Sequence, residues 1–597
     1  MIGERAESSE PLDGLRLAVL SNRFESIVRK MTNTLFRTAR SGVINSARDF
    51  SCCILTGEGD LLATAESLPI HILSGPELIA EAMKERHPEL RAGDAFLHNS
   101  PYHGNSHAAD HCVLVPVIDH DGHHRFTVLV KAHVADCGNS SPTSYSPASR
   151  DVYEEGALLF PCVQLQQDYR YLEDILRLCE VRIRVPEQWL GDNLGMVGAA
   201  RVGERELLEL GDEEGWDTLG SYARQWFDYS ERLMDQAISE LPAGRVTAVS
   251  THDPFPGIPE GLSIRATVET RPQEGTIEVD LRANPDCVPC GLNLSEATAR
   301  TAAMVGVFNS IGPGIPANAG SYRRLRILLR ENCVAGIPRH PASCSLATTG
   351  VADRVANAVQ RGMAELGDGI GMAEAGPCTP PSSGVISGRD PRHDGAPFLN
   401  QLVLGMTAGQ AGPSNDGWLN LAHVGNAGLM LRDSSEIDEL RHPIRIWIDR
   451  IERDTEGAGR NRGAPSARVE FGPVDTSIEV MWASDGNLNS ALGARTGGAG
   501  APASQFKRDQ AGVVTDLPAV GRISLEPGES IVSLSAGGGG YGSPLERTPD
   551  RVGHDVREGW ISPERSREIY GVVVDGAGEV DVTATDELRS ALKEEED

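Results

Sequence analysis

Eight of the sixteen histidines in this chain fall between positions 98 and 133, where an even spread would place about one. His120, His123 and His124 sit in the polar run Asp119-His-Asp-Gly-His-His124 and are expected to be solvated. His98, His103, His107, His111 and His133 need another explanation. Two of them share a motif: His107-Ala-Ala-Asp110 and His133-Val-Ala-Asp136 are the only His-x-x-Asp sequences in the chain. Imidazole nitrogen and carboxylate oxygen are the ligands that borderline divalent ions prefer. On one helical turn the His and Asp of each motif would share a face; on adjacent strand ends the two motifs would converge. Either arrangement supplies two histidines and one to three carboxylates and leaves a coordination position open, as a Lewis-acid or water-activating metal requires. Zinc, manganese and iron(II) all accept such ligands. The competing arrangement is a metal-free network in which each aspartate orients its own histidine.

Other chemistries lack support. Gly457-Ala-Gly-Arg-Asn-Arg-Gly463 has the spacing G-x-G-x-x-x-G and lies between two strand-like runs, so it reads as a tight connection and not as a dinucleotide fingerprint. Neither Gly497-Gly-Ala-Gly500 nor Gly537-Gly-Gly-Gly540 is followed by Lys-Ser/Thr, which excludes a phosphate-cradling loop. No Gly-x-Ser-x-Gly nucleophile elbow occurs. Cys287-Val-Pro-Cys290 is the one Cys-x-x-Cys. It has no second pair to complete a zinc ribbon, and Pro289 and Gly291 oppose the helix a thioredoxin-type site needs.

Several elements would have to position the histidine segment. Leu17, Leu20, Phe24, Ile27, Met31 and Leu35 recur every three or four residues and predict an amphipathic helix over about 15–39. Asp49-Phe-Ser-Cys-Cys-Ile-Leu55 and Leu61-Leu-Ala63 flank a glycine turn and predict a hairpin. Further strands are expected at 113–118 and 126–130. A mainly helical stretch broken near Pro186 covers 173–240, a second hairpin 262–281 and a helix 352–366. The Gly-, Pro- and Ser-rich segment 367–398 reads as a long loop or linker. Strand-like runs follow at 444–448, 467–471 and 477–481, and a charged, at most helical tail at 583–597. The class is α+β, a multi-domain mix of helix and sheet without the βαβ alternation of a Rossmann fold.

The 597 residues include 85 acidic and 55 basic side chains, a net charge of −30. That field repels phosphate backbones and anionic lipid, so neither nucleic acid nor membrane is an expected partner. Eleven scattered cysteines and no apolar leader suggest free thiols and a cytoplasmic setting.

Taken together, Arg48-Asp-Phe-Ser-Cys52, Asn99-Ser-Pro-Tyr-His-Gly-Asn-Ser-His-Ala-Ala-Asp110, Ala132-His-Val-Ala-Asp-Cys-Gly138, Tyr153-Glu-Glu-Gly156, Gly457–Gly463, Gly537-Gly-Gly-Gly-Tyr-Gly-Ser-Pro-Leu-Glu-Arg547 and the run from Asp555-Val-Arg-Glu-Gly559 to Tyr570-Gly-Val572 resemble the B-type subunit of the hydantoinase/5-oxoprolinase family. That family includes the large subunits of acetone and acetophenone carboxylases, and the resemblance runs over about residues 12–575. It implies a B-type subunit fold with a flexible N-terminus 1–12, a metal-site domain 13–250, a middle domain 251–370, a β- and glycine-rich domain 371–545 and a C-terminal segment 546–597. It further implies a divalent metal (zinc, manganese or iron) held by Asp49, His107 and His133, with Asp110 and Asp136 as further ligands or as their supports. Asp110, Asp136 and Glu155 become the base candidates. The expected partner is an A-type subunit with an actin-like ATPase fold, which binds the ATP that this chain has no motif to hold. The activity implied is ATP-dependent hydrolysis of a cyclic amide; the alternatives are a ketone carboxylase, a metal hydrolase that needs no partner and a non-catalytic scaffold.

Two departures stand out. Ser100 replaces the aspartate of the usual Asn-Asp-Pro-Tyr, and Gly104-Asn-Ser-His107 replaces Gly-Gly-Thr-His. The second resembles the acetophenone-carboxylase-like branch.

Overall fold

The computed structural model describes residues 12–575 and 577–596. Apart from Leu12, the expected flexible segment 1–12 lies outside them. The histidine-rich segment is built into a seven-stranded antiparallel sheet. Its strands are β1 (Phe50–Thr56), β2 (Leu61–Thr64), β3 (Ala95–His98), β4 (Asp110–Ile118), β5 (His124–His133), β6 (Val163–Gln167) and β7 (Arg170–Tyr171), in the order β2-β1-β5-β4-β3-β6-β7. Both faces are covered, which is why β1 and β4 are apolar at nearly every position instead of alternating. One face carries Cys52, Ile54, Val113, Val115, Val128 and Val130 against Phe24, Met31 and Leu35 of the helix Gly14–Thr38 and against the helix Pro186–Glu214. The other carries Cys53, Leu55, Cys112, Leu114 and Leu129 against Ile79, Ala80 and Met83 of the helix Pro76–Arg86.

Pro186 opens the second long helix at its first turn, where the missing N–H costs nothing. A second, four-stranded sheet (Gly244–His252, Leu262–Arg271, Thr276–Asp280, Leu325–Leu328) supports the helices Glu296–Phe308 and Val351–Leu366. A four-stranded and a five-stranded sheet enclose a further core around Val469, Phe471, Val480 and Trp482. The mixed, non-Rossmann α+β class is what the residue pattern indicates. All eleven cysteines are unpaired, and no helix among the described residues is long and apolar enough to cross a membrane.

The segment 367–398 departs from expectation. It is not a surface loop: Ala373 to Val385 are buried, and Val385–Asp390 forms a strand between Ala396–Gln401 and Ile478–Ala483. Small residues let this backbone run through the interior with its polar groups satisfied, as P–G–S composition alone does not reveal. Ala373 N–H donates to Ala411, Glu374 N–H to Leu492 and Gly376 N–H to Ala408, while the Asn357 amide bonds both the N–H and the C=O of Ala375.

Gly537–Gly540 is a second backbone-only core. Its four N–H groups donate to Ala501, Ala464, Glu374 and Gly498 in turn. A methyl group on Gly538 would lie 2.0 Å from the Gly409 carbonyl oxygen, one on Gly463 1.9 Å from that of Gly538, and one on Gly497 2.1 Å from that of Gly540. These three segments are thus glycine at the contact points because neighbouring backbones pack directly on them.

Candidate metal centre

The site lies at the end of β4 and β5, on the face that packs against the helix Pro76–Arg86. Asp110 and His133 are directly paired across the two strands, and the His133 N–H donates to the Asp49 carbonyl at the entrance to β1. Paired residues share a face, so the register sets Asp110 and His133 side by side. The adjacent-strand-end arrangement is therefore the one observed. The loop 99–109 folds His107 back onto this corner: the Asn99 side-chain amide donates to the Ala108 carbonyl, and that of Asn105 to the carbonyls of His107 and Asp110.

Asp110 is fully buried and central. Its Oδ1 stands 3.1 Å from His107 Nε2 and 3.2 Å from His133 Nδ1, and its Oδ2 stands 3.4 Å from His71 Nε2 and accepts from Ser106 Oγ. His71 Nε2 is also 3.7 Å from Asp49 Oδ1, and its Nδ1 is 3.2 Å from Ser51 Oγ. Burial alone would raise the Asp110 carboxyl, but the charges of His107 and His71 hold it well below the carboxylate range. For His107, burial disfavours the charged ring, and Asp110 overrides it to raise the pKa. Positive charge is thus favoured on this buried carboxylate, a role that protons or a cation can fill.

A divalent ion fits the donor set. His107 Nδ1 is committed to the Ser345 carbonyl at 3.0 Å, which fixes the ring and leaves Nε2, like His133 Nε2, without a hydrogen-bond partner among the described residues. Two orphaned ring nitrogens beside one buried carboxylate are costly unless a ligand occupies them. The group His107, Asp110 and His133 can bring one ligand atom from each residue within 4.8 Å of the others.

These residues open into a small cavity of about 30 Å³ lined also by Asp49, His71, Ile70, Tyr145, Ser345, Thr349, Thr379, Gln401, Met406, His423 and Met430. No lysine or arginine is among the described residues that line it. The walls come from the first sheet, the loop before the helix Val351–Leu366 and the third sheet's neighbourhood, so distant parts of the chain complete the site.

Of the residues singled out from sequence, Asp49, His107, Asp110 and His133 share this cavity. Asp136 does not line it. Its carboxylate accepts from the Gly138 N–H at 3.0 Å and the Arg184 N–H at 2.6 Å, tying the strand exit to the segment before the helix Pro186–Glu214. Glu155 is buried beside a separate small cavity with Pro101 and Cys344; it accepts from Ser343 Oγ at 2.8 Å, and burial raises its pKa.

The remaining histidines are placed as follows. His111 accepts from Trp189 Nε1 at 3.2 Å, and burial lowers its pKa to about 3. His98 is buried with its pKa also lowered to about 3. Ser100 Oγ bonds His103 Nδ1 at 2.9 Å, occupying that ring. His120 and His123 are exposed; His124 is half-buried and bonds Thr127 Oγ1 at 2.9 Å. Asp119, Asp121 and His123 form another His/Asp group in that turn, where Asp119 is already held by Arg125 at 2.6 Å. Next to the Asp110–His133 pair, Ser51, Lys131, Cys112 and His98 form a row across β1, β5, β4 and β3. Lys131 is fully buried, and its Nζ has no partner among the described residues.

Sequence reasoning missed His71 and His423. Each is a lone histidine among apolar residues, Leu-Pro-Ile-His71-Ile-Leu and Leu-Ala-His423-Val, a pattern shared by many core histidines.

Comparison with known proteins agrees with the architecture. The chain is 29% identical to the beta subunit of the caprolactamase of Pseudomonas jessenii, over 97% of this chain and 99% of that one. It is 27% identical to the B-type subunit of a putative D-/L-hydantoinase of Pseudomonas sp. (strain NS671), over 97% and 98%. The crystal structure of the ATP-dependent caprolactamase from P. jessenii superposes with a TM-score of 0.84 at 27% identity, covering 97% of this chain and 100% of that one. Nucleotide-free acetone carboxylase shares the fold, with a TM-score of 0.84 at 18% identity over 97% and 83%. The family pattern described as Hydantoinase B/oxoprolinase matches residues 13–544, and the chain belongs to that family.

Proposed function

We propose that this chain is the metal-bearing B-type subunit of a two-component, ATP-dependent hydrolase of neutral cyclic amides, working with an A-type, actin-like ATPase subunit. The observation that carries the reading is the convergence of Asp49, His71, His107, Asp110 and His133 on one small cavity. His107, Asp110 and His133 would hold the ion, with Asp49 and His71 beside them. Asp49 is kept as a ligand candidate because it lies within reach of His71 and lines the same space. A divalent ion supplies Lewis acidity toward an amide carbonyl and eases loss of a proton from water.

The chain's own groups do the rest. The Ser345 carbonyl fixes the His107 ring, Ser106 orients Asp110, and burial of both excludes bulk water. Ile70, Met406 and Met430 give the cavity an apolar wall beside the polar corner. The lack of a lysine or arginine among the described lining residues favours an uncharged substrate, because a carboxylate desolvated there would meet Asp49 and Asp110 unpaired. The likeness to the caprolactamase and hydantoinase chains supports a lactam or hydantoin type, and the absence of a phosphate loop supports nucleotide binding on the partner. Among the base candidates, Asp110 stands inside the cavity.

The test is reconstitution with the A-type subunit and divalent metal, following ring opening of ε-caprolactam and hydantoin together with ATP turnover. Amide-dependent ATP hydrolysis with ring-opened product, abolished in His107→Ala, is expected. Bicarbonate-dependent consumption of a ketone with neither amide turned over would replace this reading by the carboxylase one. Full amide hydrolysis by the isolated chain without ATP would remove the partner from it.

A further inference from the structure

The cavity has a second polar element that the metal ligands do not explain. His423 lines it, and its Nδ1 is 3.1 Å from Asp353 Oδ1. Asp353 lies in the first turn of the helix Val351–Leu366, and its other oxygen accepts from Cys378 Sγ at 3.1 Å. Burial, then the nearby Asp353 charge, push the Cys378 thiol well up, so it stays a neutral donor. Cys378, Asp353 and His423 thus form a buried relay ending at the cavity.

A carboxylate at Nδ1 sets the imidazole tautomer and the orientation of the ring. His423 Nε2 has no hydrogen-bond partner among the described residues, and Thr348, Thr349 and Thr379 lie around the same space. The ring is set close to the metal corner: the short turn Val424–Asn426 packs on the helix Pro69–Ile72 that carries His71, and a methyl group on Gly425 would lie 3.4 Å from Ile70 Cβ.

We infer that His423, oriented by Asp353, is the proton donor to the ring nitrogen of the cyclic amide as its C–N bond breaks. This rests on the cyclic-amide reading above. The attacking water gives its oxygen to the carbonyl carbon and a proton to His423 Nε2, the nitrogen that the Asp353 contact leaves free. The C–N electron pair then passes to nitrogen, and that proton passes from Nε2 to the leaving amine, which departs neutral. The imidazole returns to its starting form, so amide and water become amine and carboxylic acid. The nitrogen protonation is the same if the carbonyl oxygen carries a phosphoryl group. Without the donor the nitrogen must leave as an amide anion, and general-acid assistance of this kind is worth about 10²–10⁴ in rate.

The metal-loaded complex with its A-type subunit and ATP provides the test, with ε-caprolactam and hydantoin as substrates. His423→Gln should lower kcat on caprolactam about 100-fold or more with KM nearly unchanged. It should cost hydantoin far less, since a ureido nitrogen departs more easily. His423→Ala should regain activity with added imidazole, and Asp353→Asn should fall between wild type and His423→Gln. Metal content and melting temperature should stay at wild-type values in His423→Gln.

Equal losses on both substrates without imidazole rescue, or loss of metal or fold in His423→Gln, would overturn the donor role and leave a structural one. Unchanged kcat in His423→Gln would overturn it alone. Failure of the wild-type complex to open either ring would overturn the cyclic-amide reading and the donor role with it.

Discussion

Asp110 and His133 face each other as a direct cross-strand pair, with Oδ1 and Nδ1 3.2 Å apart at the ends of β4 and β5. A rigid ladder thereby fixes a carboxylate and an imidazole that are 23 positions apart, and the His107 loop needs only to fold onto them. Asp110→Asn, His107→Ala and His133→Ala are each expected to reduce bound metal from about one ion per chain to below about a tenth by elemental analysis, the effect of deleting a direct ligand. Asp136→Asn should retain the ion. Full occupancy in Asp110→Asn with loss in Asp49→Asn would transfer the carboxylate ligand to Asp49.

Substrate charge offers a separate check. Because Asp49 and Asp110 face a cavity without lysine or arginine in its described lining, 5-oxoproline should be used at least about 100-fold less efficiently than an uncharged lactam of equal ring size, measured as kcat/KM. An unpaired charge at such a site costs several kcal/mol, and about 2.7 kcal/mol already gives that factor. Equal use of both would mean that the carboxylate is met elsewhere.

Asp433 and Asp438 give the fold a pH signature away from the site. Burial, together with the Asp433 charge acting on Asp438, raises both carboxyls, Asp433 to about 6 and Asp438 to about 8. Above pH ~4 the unfolded chain gives up these protons while the folded chain keeps them. Stability contributed by the pair is therefore present at low pH, declines as pH climbs toward 8 and levels off beyond. Asp438→Asn should be more stable than wild type at pH 8 by at least about 1 kcal/mol, given ~1.4 kcal/mol per pKa unit, with the difference shrinking toward pH 5. Urea titrations at the two pH values measure it; a difference independent of pH would rule the pair out as its source.

Lys131 is a cost the fold carries. Its amine is enclosed with no acceptor among the described residues, in the row next to the Asp110–His133 pair. Lys131→Met keeps the aliphatic stem and removes the orphan donor, so it should stabilise the chain by about 1–3 kcal/mol in denaturant titration. Destabilisation of that size would show that the amine has a partner in solution.

Much of the first sheet was legible because strands buried on two faces write long apolar runs, and the amphipathic helix Gly14–Thr38 writes its own period. The two copies of the duplicated His-x-x-Asp motif are placed differently. Asp110 begins a strand and turns into the site, whereas Asp136 lies beyond the end of β5 and anchors Arg184. Spacing cannot distinguish these, since only cross-strand register decides which carboxylate meets its histidine. His71, Asp353 and His423 left no local trace because the cavity draws them from separate parts of the chain. The buried run 373–385 was misread for a related reason: its partners are other backbones, and backbone pairing leaves no side-chain pattern.

The glycine core has a thermal consequence. Where Gly537–Gly540 meets Gly457–Gly463 and Gly497–Gly500, unfolding uncovers an unusually large share of peptide groups relative to hydrocarbon. Hydration of polar surface lowers the heat capacity of the unfolded chain, while that of apolar surface raises it. This part of the molecule therefore flattens the curve of stability against temperature, and its hold on the surrounding segments does not fade in the cold as that of an apolar core does.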